Sequence, residues 1–418
     1  MSFVSHLRGL GSGAAYPADA VMNLDPLDGR PVEMVVDLRR LATERPRQAW
    51  YSPSRRDLWR FGGLLPLDPA DPGDAPHIVS LGEGATPLVD CSGWPAARRG
   101  GFRLLVKDEA RARPGFGANP TRSFKDRGMT VVASMARRLG LAKLVVPTQG
   151  NAGDSLAAYG LAAGLEVAVV MPADTPMAIL GRVAALAARD ARLRLDLVEG
   201  TIREAGVRVR EHWVPRGWFS VATFQEPGWR IEGKKTLGLE LAEPVTRGGR
   251  WRLPDVIVYP TGGGTGLLGM WKAFAELEAL GLVGAARPRM IAVQSEATRP
   301  LVEAMAAGAA DTAPGPAGAT LAVGLNVPGG VGHFRVLQIL RASGGGAVAV
   351  GEAEMAATHG RARRELGLAL GPEGAACLAA LPQLVSAGLV RAGERVVAVN
   401  TGAAEKYLPD VLPWLERD

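Results

Sequence analysis

Asn119-Pro120-Thr121-Arg122-Ser123-Phe124-Lys125-Asp126-Arg127-Gly128 is the stretch from which the rest of the chain can be read. Asn119-Pro120 breaks the preceding segment, Thr121 or Ser123 can cap a following helix, and Met129, Val132 and Met135 keep helical spacing. A helix start favours anions, so Lys125 in the first turn works against the dipole. Lysine is mostly solvated, and Lys125 gains meaning only from what surrounds it.

Outward from this stretch, short apolar runs alternate with helical patterns. Leu144 to Val146 reads as a strand ending at Pro147, and Thr148-Gln149-Gly150-Asn151-Ala152-Gly153 opens a helix to Ala163. Strands at Val167 to Met171, Leu193 to Val198 and Trp218 to Ala222 follow, with helices between them. A second series has a helix from Gly233 to Ala242, a strand Asp255 to Tyr259, the loop Thr261-Gly262-Gly263-Gly264-Thr265-Gly266, a helix through Leu280, a strand Met290 to Val293 and a last strand Arg395 to Asn400. Such alternation is the pattern of βαβ units. The expected fold class is α/β, with two parallel-sheet domains and the active site in the cleft between them, where strand ends meet helix starts. Residues 1–75, rich in proline, glycine and charge, read as an N-terminal arm. Residues 126–222 read as a small α/β domain, and 76–125 with 223–418 as a large one. The segment Gly308 to Gly332 reads as irregular surface loop.

The chain has 418 residues and 47% apolar content, enough for a large core. Its net charge of +6 comes from arginine, because only seven lysines occur: Lys107, Lys125, Lys143, Lys234, Lys235, Lys272 and Lys406. No basic stripe interleaved with aromatics suggests nucleic acid, and no apolar run approaches a membrane span. Cys91 and Cys377 make no disulfide framework, and five scattered histidines make no metal motif. A cytoplasmic protein without a metal is expected.

Three glycine-rich or asparagine-bearing turns sit directly after strands and directly before helices, where backbone amides and the dipole bind anions. Thr261 to Gly266 lets the backbone approach a phosphate unobstructed. Its rival reading is a dinucleotide fingerprint, since Gly264-x-Gly266-x-x-Gly269 fits the spacing, but Gln294 stands where the ribose-holding acid is expected, with Glu296 two residues on. In the second turn Asn151 can donate to a phenolate oxygen, and the amides of Gly150 to Ala152 can hold a carboxylate. The third, Asn400-Thr401-Gly402, offers a hydroxyl. A lysine, a phosphate cradle, an asparagine and a strand-end hydroxyl form the set that holds an aldehyde cofactor with a phosphate, a phenolate and a ring nitrogen.

Asn-Pro-Thr-x-Ser-Phe-Lys-Asp-Arg-Gly, Gly150-Asn151-Ala152-Gly153, Arg230-Ile231-Glu232-Gly233-Lys234-Lys235-Thr236, the glycine loop, Pro372-Glu373-Gly374-Ala375-Ala376 and Asn400-Thr401-Gly402 with Lys406 together resemble threonine synthases and their close relatives. These are pyridoxal phosphate enzymes of the tryptophan synthase β-subunit fold, or fold type II. The resemblance runs from about Leu58 to the C-terminus. It implies that the large domain carries pyridoxal 5'-phosphate, that Lys125 is the Schiff-base lysine, that Asn151 contacts the cofactor oxygen, that Gly262, Gly263, Gly264, Thr265 and Gly266 hold the phosphate, and that Thr401 faces the ring nitrogen. Substrate binding falls to Thr148, Gln149, Gly150 and Arg230, with Arg122 able to face the same cleft. This chain departs from the family pattern at Arg122, where glycine is usual, at Glu226-Pro227-Gly228-Trp229-Arg230, one residue longer than usual, and in lacking a cysteine knuckle.

The implied activity is that of a lyase acting on an amino-acid substrate with an anionic leaving group such as that of O-phosphohomoserine, in a homodimer. The alternatives are β-replacement or deamination of serine, threonine or an activated serine, a dinucleotide oxidoreductase, and a cofactor-carrying protein without catalysis.

Overall fold

The computed structural model describes residues 2–111, 118–244 and 249–415. In chain order its strands are β1 (Val4–Gly9), β2 (Ala15–Tyr16), β3 (Val32–Val36), β4 (Leu88–Asp90), β5 (Arg103–Asp108), β6 (Lys143–Pro147), β7 (Glu166–Pro172), β8 (Leu193–Val198), β9 (Phe219–Ser220), β10 (Val256–Pro260), β11 (Arg289–Ser295), β12 (Gly346–Val350) and β13 (Arg395–Asn400). The chain divides into two compact units, Met1–Ala85 with Pro114–Leu237 and Thr86–Arg113 with Gly238–Asp418.

In the first unit a parallel sheet has the order β8-β7-β6-β9. Its central strands are continuous apolar runs, buried from Leu144 to Val146 and from Val167 to Met171, as sheets covered on both faces require. The helices Lys125–Arg138, Asn151–Ala162 and Met177–Ala187 follow the expected pattern. The first 75 residues are more than an arm. They hold an antiparallel sheet of order β2-β1-β3, and Leu7, Met34, Leu58, Trp59, Leu65 and Leu67 share one hydrophobic cluster with Met129, Val132, Met135 and Leu144. The Trp59 indole N–H donates to the Thr130 hydroxyl at 3.0 Å. Short apolar pieces among prolines hid this contribution, because none is long enough to show a period.

The second unit is built on a sheet of order β12-β11-β10-β13-β5-β4, parallel throughout except for β4. Val256 to Tyr259 and Val396 to Val399 are buried along their length. Helices Thr265–Ala279, His333–Ala342, Glu352–Leu366 and Pro372–Ala379 accompany it. The segment 308–332 contains one short 3-10 turn, Val323–Leu325, and is not purely surface: Ala322 and Leu325 are buried and the Gly324 amide donates to Glu373 at 2.9 Å.

The boundaries between units differ from those read in the sequence. Residues 118–125 and 223–237 fall with the first unit. Ala118 N–H donates to Gly82 O at 3.0 Å, and Gly84 N–H donates to Asn119 Oδ1 at 3.1 Å. The helix expected from Gly233 begins at Trp229 and runs to Ala242, and the division falls inside it.

Candidate active site

Lys125 is the first residue of its helix, half-buried, with Nζ 4.9 Å from the centre of the Phe124 ring. The turn ahead of it is held by Asp126, not by a capping hydroxyl. Asp126 Oδ2 accepts from the Thr121 amide at 2.8 Å, and Oδ1 accepts from the Thr121 hydroxyl at 2.6 Å and the Ser155 hydroxyl at 2.6 Å. Ser155 lies on the helix Asn151–Ala162, so one carboxylate ties the lysine turn to the helix that Asn151 opens. Arg122 sits in this turn at φ +57°, exposed, with its amide donating to Asn119 O at 2.8 Å. That left-handed backbone explains why glycine suits the position.

The helix Trp229–Ala242 is pressed onto the Lys125 helix. A Cβ on Gly233 would lie 1.8 Å from the Arg127 carbonyl oxygen, and one on Gly128 would lie 3.4 Å from the Arg230 Cβ. The Arg127 guanidinium donates to the Thr236 hydroxyl at 3.0 Å, which donates to Gly233 O at 2.6 Å. Only glycine permits this approach, and it places Arg230 and Lys234, one helical turn apart, beside the start of the Lys125 helix. Lys234 Nζ is 4.5 Å from the same Phe124 ring centre.

The extra residue at Gly228-Trp229 does not expose Arg230. Gly228 takes φ +75° against the backbone of β3, Trp229 is buried, and Arg230 is only 2% exposed. Its Nε lies 3.8 Å from Glu226 Oε2, and Arg230 Nε, Arg230 Nη2 and Glu226 Oε2 are buried without hydrogen-bond partners. Burial pushes the Glu226 carboxyl up to about 7 despite Arg230 and Lys234. Burial, then Lys125 and Arg230, hold the Lys234 amine well below the usual lysine range. By contrast Lys235 pairs with Glu232 at 2.6 Å and Lys107 with Glu240 at 2.7 Å, both deep in protein.

After β6, Thr148 builds its own turn: its hydroxyl accepts from Gly150 N–H at 3.1 Å and Gly153 N–H at 3.3 Å. The Gly150 amide is thus engaged within the turn. Gln149 and Asn151 are half-buried, and no side chain caps the helix Asn151–Ala162.

In the second unit the glycine loop follows β10 and Thr401 follows β13. These strands are adjacent and parallel, with Val256 beside Val396 and Val258 beside Ala398, so the two turns leave the same end of the sheet. Gly264 takes φ +86° at the start of the helix Thr265–Ala279, which has no side-chain cap. A Cβ on Gly262 would lie 2.3 Å from Gly324 O, and one on Gly266 would lie 2.0 Å from the Tyr259 hydroxyl. The packing therefore demands bare backbone at a helix start, which fits a phosphate. Asn400 anchors the third turn, its amide donating to Asp108 Oδ1 at 2.8 Å and its Oδ1 accepting from Gly371 N–H at 3.1 Å. Gln294, at the position of a ribose-holding acid, donates to Thr261 O at 3.3 Å and accepts from Leu301 N–H at 2.9 Å, so it braces the loop from within.

Within the first unit the structure gathers Lys125 and Arg230, and adds Lys234 and Glu226, which sequence reasoning passed over. Lys234 was detectable as the residue four after Arg230 on one helix. Glu226 carried no such signal, because its importance lies in its burial. His333, bonded to the glycine loop, was also missed, lying just past the segment Gly308 to Gly332, where no element was expected.

Residues 79–402 match the family described as pyridoxal-phosphate dependent enzyme. Threonine synthase of Methanosarcina acetivorans is 31% identical over 95% of this chain and 91% of its own length. Threonine synthase of Methanocaldococcus jannaschii is 31% identical over 82% of this chain and 79% of its own. Among solved structures, Escherichia coli diaminopropionate ammonia lyase has a TM-score of 0.67 at 16% identity, covering 88% of this chain and 94% of that one. Threonine deaminase isoform 2 from Solanum lycopersicum has a TM-score of 0.63 at 22% identity, covering 83% and 91%. These two share the fold. The matched family covers most of the chain and the glycine cradle fits the cofactor's phosphate: the chain belongs to the pyridoxal-phosphate dependent enzymes, as a fold type II, threonine synthase-like lyase with pyridoxal 5'-phosphate as its cofactor.

Proposed function

We propose that the protein carries out elimination and replacement on an amino acid with an anionic leaving group, O-phosphohomoserine being the reference substrate and water the incoming group. One observation carries this reading: Arg230 is buried with Nε and Nη2 making no hydrogen bond, in a chain whose relatives include threonine synthases at 31% identity. A phosphate matches that fork bidentately and would satisfy both nitrogens.

When bound, pyridoxal phosphate supplies the electron sink for negative charge at Cα. Lys125 would hold its aldehyde carbon and serve as the base for the Cα proton. Asn151 would hold the ring oxygen, Gly262 to Gly266 the phosphate, and Thr401 would offer the ring nitrogen a hydroxyl and no charge. Thr148, Gln149 and Gly150 shape the turn that receives the substrate carboxylate. Arg122 is assigned a secondary role toward the leaving group, on the strength of its exposed place three residues before Lys125. The assembly is proposed as a cytoplasmic homodimer. Among the described residues no helix is long and apolar enough to cross a membrane.

The test is phosphate release from O-phosphohomoserine. Arg230→Ala should lower kcat/KM on that substrate by roughly a hundredfold, the loss of a charged bidentate contact, and on serine or threonine far less. Turnover of an uncharged β-substituted amino acid with no phosphate release from O-phosphohomoserine would replace this reading with β-replacement or deamination.

A further inference from the structure

The helix His333–Ala342 of the second unit opens with a fully buried histidine. His333 Nε2 lies 2.8 Å from the Gly262 carbonyl oxygen. On the other side of the ring, Gly330 N–H donates to Nδ1 at 3.2 Å, and the Thr312 hydroxyl lies 3.0 Å from the same nitrogen. A backbone amide can only donate, so Nδ1 is the acceptor and the proton of the neutral ring sits on Nε2, donating to Gly262. Burial lowers the imidazole's pKa, which keeps it neutral.

The peptide joining Gly262 to Gly263 is planar and trans, so its C=O and N–H point in opposite directions. Holding the Gly262 carbonyl toward His333 therefore turns the Gly263 N–H away from that helix. The fit is close on both flanks. A Cβ on Gly330 would lie 2.7 Å from the imidazole, and one on Gly262 would lie 2.3 Å from Gly324 O. Neither a lone helix start nor an ordinary glycine turn calls for a buried imidazole with both nitrogens committed.

We propose that His333 is a positioning residue for the cofactor cradle, its Nε2–H locking the Gly262–Gly263 peptide so that the Gly263 N–H faces the phosphate. This rests on the reading of Gly262 to Gly266 as the phosphate cradle. Glutamine can place an amide N–H where Nε2 stands, whereas asparagine reaches only the Nδ1 position, so the two substitutions separate the bond to Gly262 from simple filling of space.

The experiment measures the affinity of apoprotein for pyridoxal phosphate and for pyridoxal in wild type, H333Q and H333N, with nitrogen-15 NMR of the wild-type holoenzyme. H333N should bind pyridoxal phosphate about tenfold more weakly, as expected for an unsatisfied buried carbonyl. H333Q should stay within about threefold of wild type, and binding of pyridoxal should be unchanged in both. NMR should show the proton on Nε2. Equal affinities for pyridoxal phosphate in wild type and H333N, equal losses in both variants, or a proton on Nδ1 would overturn the assignment. If neither variant folds, the NMR spectrum of the wild type decides alone. A crystal structure of the holoenzyme tests the reading beneath: a phosphate bound away from Gly262 to Gly266 fails the cradle, while a phosphate on the cradle with a proton on Nδ1 fails only His333.

Discussion

Glu226→Gln should flatten the pH dependence of stability. In the fold this carboxyl is pushed up from 4.5 to about 7, burial outweighing the attraction of Arg230 and Lys234. A carboxyl whose pKa is raised by folding keeps its proton in the native state after the unfolded chain has lost it. Its contribution is therefore fully present below about 4.5, declines as pH rises, and is lost above about 7. At about 1.4 kcal/mol per pH unit, that rise corresponds to ~3 kcal/mol between the two limits. The glutamine variant has no such proton and should not show this decline. Glu83, also buried and raised to about 7, titrates in both proteins. Lys234 acts in the opposite direction, because an amine whose pKa folding lowers makes stability rise with pH. The informative quantity is the difference between wild type and variant. Urea unfolding followed by tryptophan fluorescence, on apoprotein so that cofactor binding does not enter, would be run at about pH 5 and about pH 8. Wild type should lose ~2.5 kcal/mol more than the variant over that interval, since at about pH 5 the unfolded carboxyl is already largely ionised. Identical losses in the two proteins would refute the argument that Glu226 is buried with its proton.

Lys125→Ala should abolish the cofactor's visible absorption while Lys234→Met retains it, and borohydride reduction with peptide mapping should label Lys125; label on Lys234 would reassign the lysine. Gly233→Ala should destabilise by ~3 kcal/mol or more, because its Cβ would enter the Arg127 carbonyl; a thermal shift within error of wild type would count against the close helix contact. Arg122→Gly should stabilise by up to about 1 kcal/mol, since relief of about 1–2 kcal/mol at φ +57° exceeds the about 0.5–1 kcal/mol of added chain entropy. Arg122→Val should lower stability clearly, and equal stability of all three proteins would argue against the left-handed backbone there.

The sequence alone determined the α/β class, the strands from β6 to β8, β10, β11 and β13, the glycine loop at a helix start, and the helix that follows Phe124. Each is written within about a dozen residues, as an apolar run bounded by a turn or as glycines where backbone must be bare. Tertiary structure alone decided the rest. Arg127 meets Thr236 across 109 positions, Asp126 meets Ser155 across 29, and His333 meets Gly262 across 71. Burial of Arg230 beside Glu226 depends on Gly228 turning against β3 and on Gly233 admitting a neighbouring carbonyl. Hydrogen bonds and desolvation act over a few ångströms, between groups that only the folded chain brings to that distance, and periodicity along the sequence carries no record of such pairs.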